Sequence, residues 1–396
     1  MHYDLSYLKE PIYSDINKQA GNHVLQGTLS AATYENGCIL PCLRRNQIEY
    51  DYSGGVTDAE HLFVESSALH EMPCKVGGSY PASCKKSDQA VIYIGFLLPE
   101  WGNVITDSLK KLWFLHTPEA KSMILKGAQI AYVTFENRPV PQYQSELWEL
   151  GGYDCGKWLH VTTPTQFKSV TVPDNSLIAL PDDTRLFHSF FADEISRIKA
   201  NVAKHVRKAG FPLPTPHDIY LTRTRLKHNK DYNEIQIERL FEQQGYQVIA
   251  PEKLTVAAQI WLMMNCDNMV ATEGSISHNA IFMSPKSKLV ILQKADYMNG
   301  YQHVINAMAD LDVTYIPAHH STRASKDMPW AGPFYLYVTP ELSRWCGICA
   351  PHSISPSLKP SYWKYRLKNI GFLLRIKLWL YLIVRKCIKY RRNNGL

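Results

Sequence analysis

The stretch from Asp218 to Leu292 reads DIYLTRTRLKHNKDYNEIQIERLFEQQGYQVIAPEKLTVAAQIWLMMNCDNMVATEGSISHNAIFMSPKSKLVIL. Short apolar runs alternate in it with segments of helical periodicity. DIYLTR, YQVIA, NMVAT and KLVIL read as strands. NEIQIERLFEQQG reads as an amphipathic helix stopped by glycine, and TVAAQIWLMMNC as a helix with a threonine start. SISHNAIFMS reads as a short helix, and YQHVINAMADL and VTYIP carry the alternation on. Repeated βα units with short buried strands predict a parallel sheet covered by helices.

Upstream the pattern is weaker. CILPCLRR, VIYIGFLL, AQIAYVTF and KWLHVT read as strands. Asn103–His116 is expected to be a helix, with Val104, Leu109, Leu112 and Trp113 near helical spacing, and QYQSELWELGG a second one. DDTRLFHSFFADEISRIKANVAKHVRKAG predicts one long helix ended at Gly210, before the proline-rich turn FPLPTP. The chain has 396 residues, which suits two domains of roughly 150–200 residues each. We read residues 1–185 as an N-terminal acceptor-side α/β domain and 186–320 as a nucleotide-binding Rossmann-like domain. Residues 321–360 are a connecting segment that packs back on the body, and 361–396 are a basic amphipathic tail.

The charge is unevenly placed. No acidic residue follows Glu341, but twelve Lys or Arg do, which leaves a body of 31 basic and 36 acidic residues. The body has no bulk attraction to nucleic acid, whereas the tail seeks an anionic surface. Its sequence YWKYRLKNIGFLLRIKLWLYLIVRKCIKYRR mixes long apolar residues with Lys and Arg. The longest uncharged run after Lys377 is Leu378–Val384, far short of the ~20 residues needed to span a bilayer. A helix lying in an anionic lipid interface fits this pattern. Packing of a C-terminal helix on the body is the alternative. Nine cysteines without framework spacing, and an N-terminus lacking an apolar core of signal-peptide length, point to a reducing, cytoplasmic compartment. Cys346 and Cys349 form a lone CxxC with no second pair at metal-site spacing, so no metal is expected. Pro181–Thr184 (PDDT) reads as a linker turn.

Ligands of open α/β sheets bind at the carboxyl edge of the strands. Three strand-to-helix turns meet there. The turn after Asn268–Thr272 supplies Glu273, Gly274, Ser275, Ser277, His278 and Asn279, with Gly274 permitting close backbone approach and amides available to an anion. Arg223 and Arg225 follow another strand end and suit a diphosphate. Asn233 and Glu234 open the next helix as a capping pair would. Glu252 follows a third strand and suits ribose hydroxyls or a helix cap. A nucleotide diphosphate fits this set of groups.

The ordered string from YLTRTR to NAIFM resembles the core of glycosyltransferase family 61, which includes bacterial capsule and cell-surface polysaccharide transferases and eukaryotic xylosyl- and N-acetylglucosaminyltransferases. Arg223, Asn233, Glu234, Pro251, Glu252, Leu254, Gly274, Asn279 and Phe282 stand at matching places. The likeness covers roughly residues 215–320. It is weak in the N-terminal half, where WGNVITDSL places Asn103 and Asp107 against the family's His and acid. Glu273 stands where the family has the His of His-Gly-Ala. The resemblance implies a GT-B architecture of two Rossmann-like domains, inversion at the anomeric carbon, no required metal or cofactor, and a nucleotide sugar, expected to be UDP-linked, as donor. Inverting transfer needs a carboxylate base; Asp107, expected to face across the interdomain cleft, or Glu273 would supply it. The implied acceptor is a growing cell-surface or lipid-linked glycan at the inner membrane face. A non-catalytic membrane-bound scaffold with this fold is the alternative, kept open by the departures at Asn103 and Glu273.

Overall fold

The alternation read from residues 218–317 builds a six-strand sheet. In the computed structural model, which describes residues 1–19, 21, 23–44, 51–68, 75–76, 84–180, 184–209, 216–227, 231–320, 332–348 and 360–369, its strands are all parallel. Their order is His2–Asp4, Asp312–Pro317, Lys288–Gln293, Asn268–Thr272, Asp218–Leu221, Gln247–Ile249. The middle strands are buried on both faces. Met269, Ala271, Leu289 and Ile291 point into the larger core, while Val270, Val290 and Leu292 meet Ile237, Phe241 and Leu342 on the other side. This two-faced burial explains why these strands read as unbroken apolar runs. The first strand of the chain sits at the edge of this C-terminal sheet, paired with Asp312–Thr314.

Helix boundaries follow local chemistry. Thr255 caps Val256–Asn265 by accepting from the Ala258 amide at 3.3 Å, and Glu234–Gln243 ends before Gly245 at φ +85°. Asn233 departs from the expected capping role. It stands at the N-cap position with φ 67°, but its side chain donates to Leu336 O at 2.8 Å.

The N-terminal half forms a mixed eight-strand sheet rather than a second all-parallel Rossmann-like sheet. Its centre is Thr165–Pro173, which the sequence reading passed over. This strand runs parallel to Lys85–Leu97 on one side and antiparallel to Ala31–Glu35 and Cys38–Arg44 on the other. The expected helix Asn103–His116 is broken into a helical turn Trp101–Val104, a run of turns, and a 3₁₀ segment Leu112–His116. Two hydroxyls compete with the helical ladder here: Thr106 donates to Gly102 O at 2.8 Å and Ser108 to Val104 O. The long helix likewise begins later than expected, at Ser189, because Arg185–Phe187 pairs antiparallel with Leu177–Ala179. Residues 181–183 of PDDT, the turn FPLPT at 211–215, Cys349 and the tail beyond Asn369 lie outside the described residues.

Val104, Ile105, Leu109 and Leu112 join the core that also holds Ile281, Met283 and Tyr301. The segment 101–116 therefore wedges the two sheets together. Among the described residues no helix is long and apolar enough to cross a membrane.

Gly102 is the tightest point of this wedge. A Cβ there would sit 2.8 Å from Ser275 Oγ and 2.9 Å from His278 Nδ1. Gly102→Ala is expected to lower stability by about 1–3 kcal/mol, the usual cost of overpacking, measured by urea denaturation; a shift in midpoint too small to resolve would show that the contact relaxes freely.

Candidate active site

Three adjacent strand ends of the six-strand sheet make the site. Asn268–Thr272 runs into Glu273 and Gly274. Lys288–Gln293 runs into Lys294. Asp218–Leu221 runs into Thr222 and Arg223. A small pocket opens here, lined by Glu273, Gly274, Lys294, Ala295, Tyr297, Asn299 and Phe334. Gly274 has φ +114°, and a Cβ on it would stand 3.6 Å from the Lys294 ammonium. A side chain at this position would strain the backbone.

Glu273 is buried, and one of its carboxyl oxygens accepts the Asn299 amide at 2.9 Å. Burial lifts its pKa to about 8, opposed by that amide and by the charge of Lys294. Lys294 is held 3.3 Å from Asp231, with Phe334 4.7 Å beneath its ammonium. Burial draws the lysine below its ordinary value; Asp231 opposes that and Arg223 adds to it. Arg223 Nε lies 3.6 Å from Asp231. Asp231 thus sits between two cations, of which Lys294 lines the pocket. The amides of Gly274, Ser275 and Ile276 make no hydrogen bond among the described residues. An ammonium, a partly exposed guanidinium and amides without hydrogen bonds among the described residues thus lie at one sheet edge, groups of the kind that can receive an anion.

The other expected donor residues divide between two places. Arg225 is ion-paired with Glu238, which also accepts from the Thr222 and Thr224 hydroxyls at 2.6 Å. That network holds the arginine on helix Glu234–Gln243. Glu252 is exposed in the 3₁₀ turn Pro251–Lys253, after the edge strand. Glu234, buried, accepts the Arg223 amide at 2.9 Å and the Tyr220 hydroxyl at 3.2 Å, fixing the turn that carries Arg223.

Ser277, His278 and Asn279 lie beneath the pocket in a buried 3₁₀ turn, Ser277–Phe282, rather than an α-helix. The amides of Ser277 and His278 already bond to Gly274 O. Ser277 Oγ lies 2.8 Å from that oxygen and 2.6 Å from Gln302 Oε1. Asn279 accepts from the Trp101 indole at 3.0 Å and donates to Ile276 O. His278 is buried with no hydrogen bond at either ring nitrogen, and burial pushes its pKa down to about 4. Ser275, half-buried, packs on Gly102.

Asp107 joins this lower layer and does not face an open cleft. It is buried, with Lys110 Nζ 2.8 Å from one carboxylate oxygen and the Tyr301 hydroxyl donating to the other at 3.0 Å. Apolar packing around residues 104–112 brought it inside.

Lys294, Asp231, Asn299 and Phe334 were missed in the sequence. Lys294 had a usable signal, because it is the first residue past the strand KLVILQ, at the same edge that selected Glu273. Asp231 and Phe334 meet through a parallel pairing of two-residue strands that no local pattern announces. Among the described residues no cluster of three His, Cys, Asp or Glu side chains is arranged to hold a metal ion.

Residues 101–290 match the family model described as Glycosyltransferase 61. The match agrees with the resemblance drawn from the motif string and extends it upstream through Asp107, where the motif evidence was weak. It supports glycosyltransferase activity in general. Every expected site residue lies inside it, and Lys294 lies just beyond. No curated protein matches the chain.

Because the folded pKa of Glu273 is raised, the folded state keeps a proton that the unfolded state has lost between the ordinary carboxylate range and about pH 8. Stability is therefore full at low pH and falls as pH rises through that window. Glu273→Gln keeps the oxygen that accepts from Asn299 and removes the titration. Relative to wild type, the variant is expected to gain at most about 1.4 kcal/mol per pH unit across the window, measured by chemical denaturation at pH 5, 7 and 9. A difference that stays constant with pH would show that Glu273 is not strained by ionisation.

Proposed function

We propose that the chain is an inverting glycosyltransferase that takes a nucleotide-sugar donor, UDP-linked by expectation, with its diphosphate at the edge formed by Lys294, Arg223 and the Gly274–Ile276 amides. The observation that carries this reading is a carboxyl, Glu273, and an ammonium, Lys294, in the lining of one pocket, at the end of a segment that matches a glycosyltransferase family. In this reading the two sheets are the halves of a GT-B-like arrangement. The donor lies against the six-strand sheet and the acceptor against the eight-strand side.

The chemistry follows from the residues. An acceptor hydroxyl oxygen attacks the anomeric carbon as the bond from that carbon to the diphosphate breaks. The hydroxyl proton passes to the Glu273 carboxylate. The diphosphate leaves with its charge stabilised by the Lys294 ammonium, the Arg223 guanidinium and the turn amides. Glu273 is favoured over Asp107 as base, because both oxygens of Asp107 are engaged by Lys110 and Tyr301. Gly274 leaves room for the diphosphate beside Lys294. Arg225 and Glu252 support the edge from further out. No step in this scheme calls for a metal.

The tail places the enzyme. Its basic and apolar residues suit the inner, anionic face of a cell membrane, where a lipid-linked or cell-surface glycan of capsular or lipopolysaccharide type would be the acceptor.

Three outcomes are expected. Glu273→Gln should cut turnover by at least ~100-fold while donor binding persists, as loss of a general base does; wild-type kcat/KM should climb as pH rises through about 8. Near-normal turnover in the variant would remove Glu273 from the role. Lys294→Met should weaken UDP binding in calorimetry by about 1.5–3 kcal/mol, the worth of a charge-assisted hydrogen bond, and Arg225→Ala by less, since Arg225 is spent on Glu238. Equal losses at the two positions would contradict the placement of the diphosphate. Removing residues 370–396, which spares the docked helix, should abolish flotation with anionic vesicles; unchanged flotation would locate membrane binding elsewhere.

A further inference from the structure

The pocket wall at Phe334 belongs to a ribbon of two parallel strands, Asp231–Tyr232 and Phe334–Tyr335, paired Asp231 to Phe334 and Tyr232 to Tyr335. Side chains alternate faces along a strand, so the two pairs point opposite ways. The first pair faces Lys294: Asp231 is its counter-ion, and Phe334 lies under its ammonium. The second pair faces the helix Pro360–Asn369, the first turns of the basic C-terminal segment. The Tyr365 ring lies 4.9 Å from Tyr232 and 5.5 Å from Tyr335. The Tyr362 ring lies 5.3 Å from Tyr335 and 5.1 Å from His320. The Tyr365 hydroxyl donates to Pro333 O at 2.8 Å, one residue before Phe334. Tyr362 and Tyr365 are three residues apart, hence on one helix face, and both are buried while Lys364 between them is exposed.

Strands of two residues have too few ladder bonds to hold a position unaided. Bonds that tie this ribbon to its surroundings include Leu336 N to Tyr232 O at 2.9 Å, His320 N to Tyr335 O at 3.0 Å and the Asn233 side chain to Leu336 O at 2.8 Å. Aromatic packing covers its outer face, at Tyr232 and Tyr335. We propose that Tyr362 and Tyr365 are positioning residues for the pocket, clamping the ribbon so that Asp231 and Phe334 keep Lys294 aimed at the donor diphosphate. The proposal rests on reading that pocket as the donor site. It gives the C-terminal segment a second task besides surface binding.

The test uses the full-length protein, with UDP and inorganic pyrophosphate as calorimetric probes and donor KM and kcat as the kinetic readout. Replacing both tyrosines by alanine should weaken probe binding and raise donor KM by about tenfold, the scale of one lost aromatic contact, with kcat little changed. Tyr362→Phe with Tyr365→Phe should restore most of the loss, because the rings do the clamping. Lys364→Ala, on the exposed side of the same helix, should bind like wild type. Unchanged binding in the double alanine variant would overturn the proposal. If that variant does not fold, Tyr365→Leu, which keeps bulk but removes ring and hydroxyl, decides in the same way. If wild type binds neither probe, the donor reading fails on its own account. Hydrogen exchange at the His320 and Leu336 amides still judges the clamp: faster exchange in Tyr365→Leu supports it, and an unchanged rate overturns it.

Discussion

The site depends on the first turn of the helix Gly300–Met308. Its N-cap residue, Asn299, donates its backbone amide to Glu273 and accepts the Tyr301 amide on its side-chain oxygen. Tyr301, the second helical residue, gives its hydroxyl to Asp107. One helix start therefore holds both carboxyl groups singled out in the sequence, one on each side of the buried His278 turn. A little further along, Gln302 meets Ser277. Charges and polar groups are costly to bury without partners, and this helix supplies those partners in sequence order. The two carboxyls end in different states because their neighbours differ. Asp107 has a lysine ammonium at 2.8 Å. Glu273 has one amide and a lysine already committed to Asp231.

The parallel sheet was legible because its strands are buried on both faces and its helices carry ordinary stops and starts. Thr255 and Gly245 did locally what such residues do in isolation. The edge rule pointed to the turn after Thr272, beside which the pocket opens. It named the second turn only in part. Arg223 stays near the pocket through Asp231, whereas Arg225 is captured by Glu238, and spacing alone cannot separate two arginines one residue apart. Asp107 was found by motif position, but its exposure was misjudged. Nothing in WGNVITDSLKK says that the segment is covered on all sides, since its Thr, Ser and Lys residues look solvent-facing until their hydroxyls and ammonium groups are seen turned to backbone carbonyls and carboxylate.

The N-terminal sheet was the least legible part. Thr165–Pro173, its central strand, is bounded by Pro164 and Pro173, but Lys168 and Ser169 together separate Phe167 from Val170 and break the two-residue period that marks a strand. Its partners are remote in sequence, at residues 31–39 and 85–92, and long-range pairing leaves no local trace. The same holds for the ribbon behind the pocket, where Asp231 meets Phe334 across about a hundred residues of chain.

The wedge at residues 101–116 has a consequence for motion. Two lobes that open and close about a linker need an interface they can leave cheaply. Here Val104, Ile105, Leu109 and Leu112 are fully buried in a core shared by both halves, and Gly102 brings backbone against Ser275 and His278. Rocking the halves apart would expose that apolar surface to water. A chain joined this way resists opening at its hinge, because the apolar seam would have to meet water.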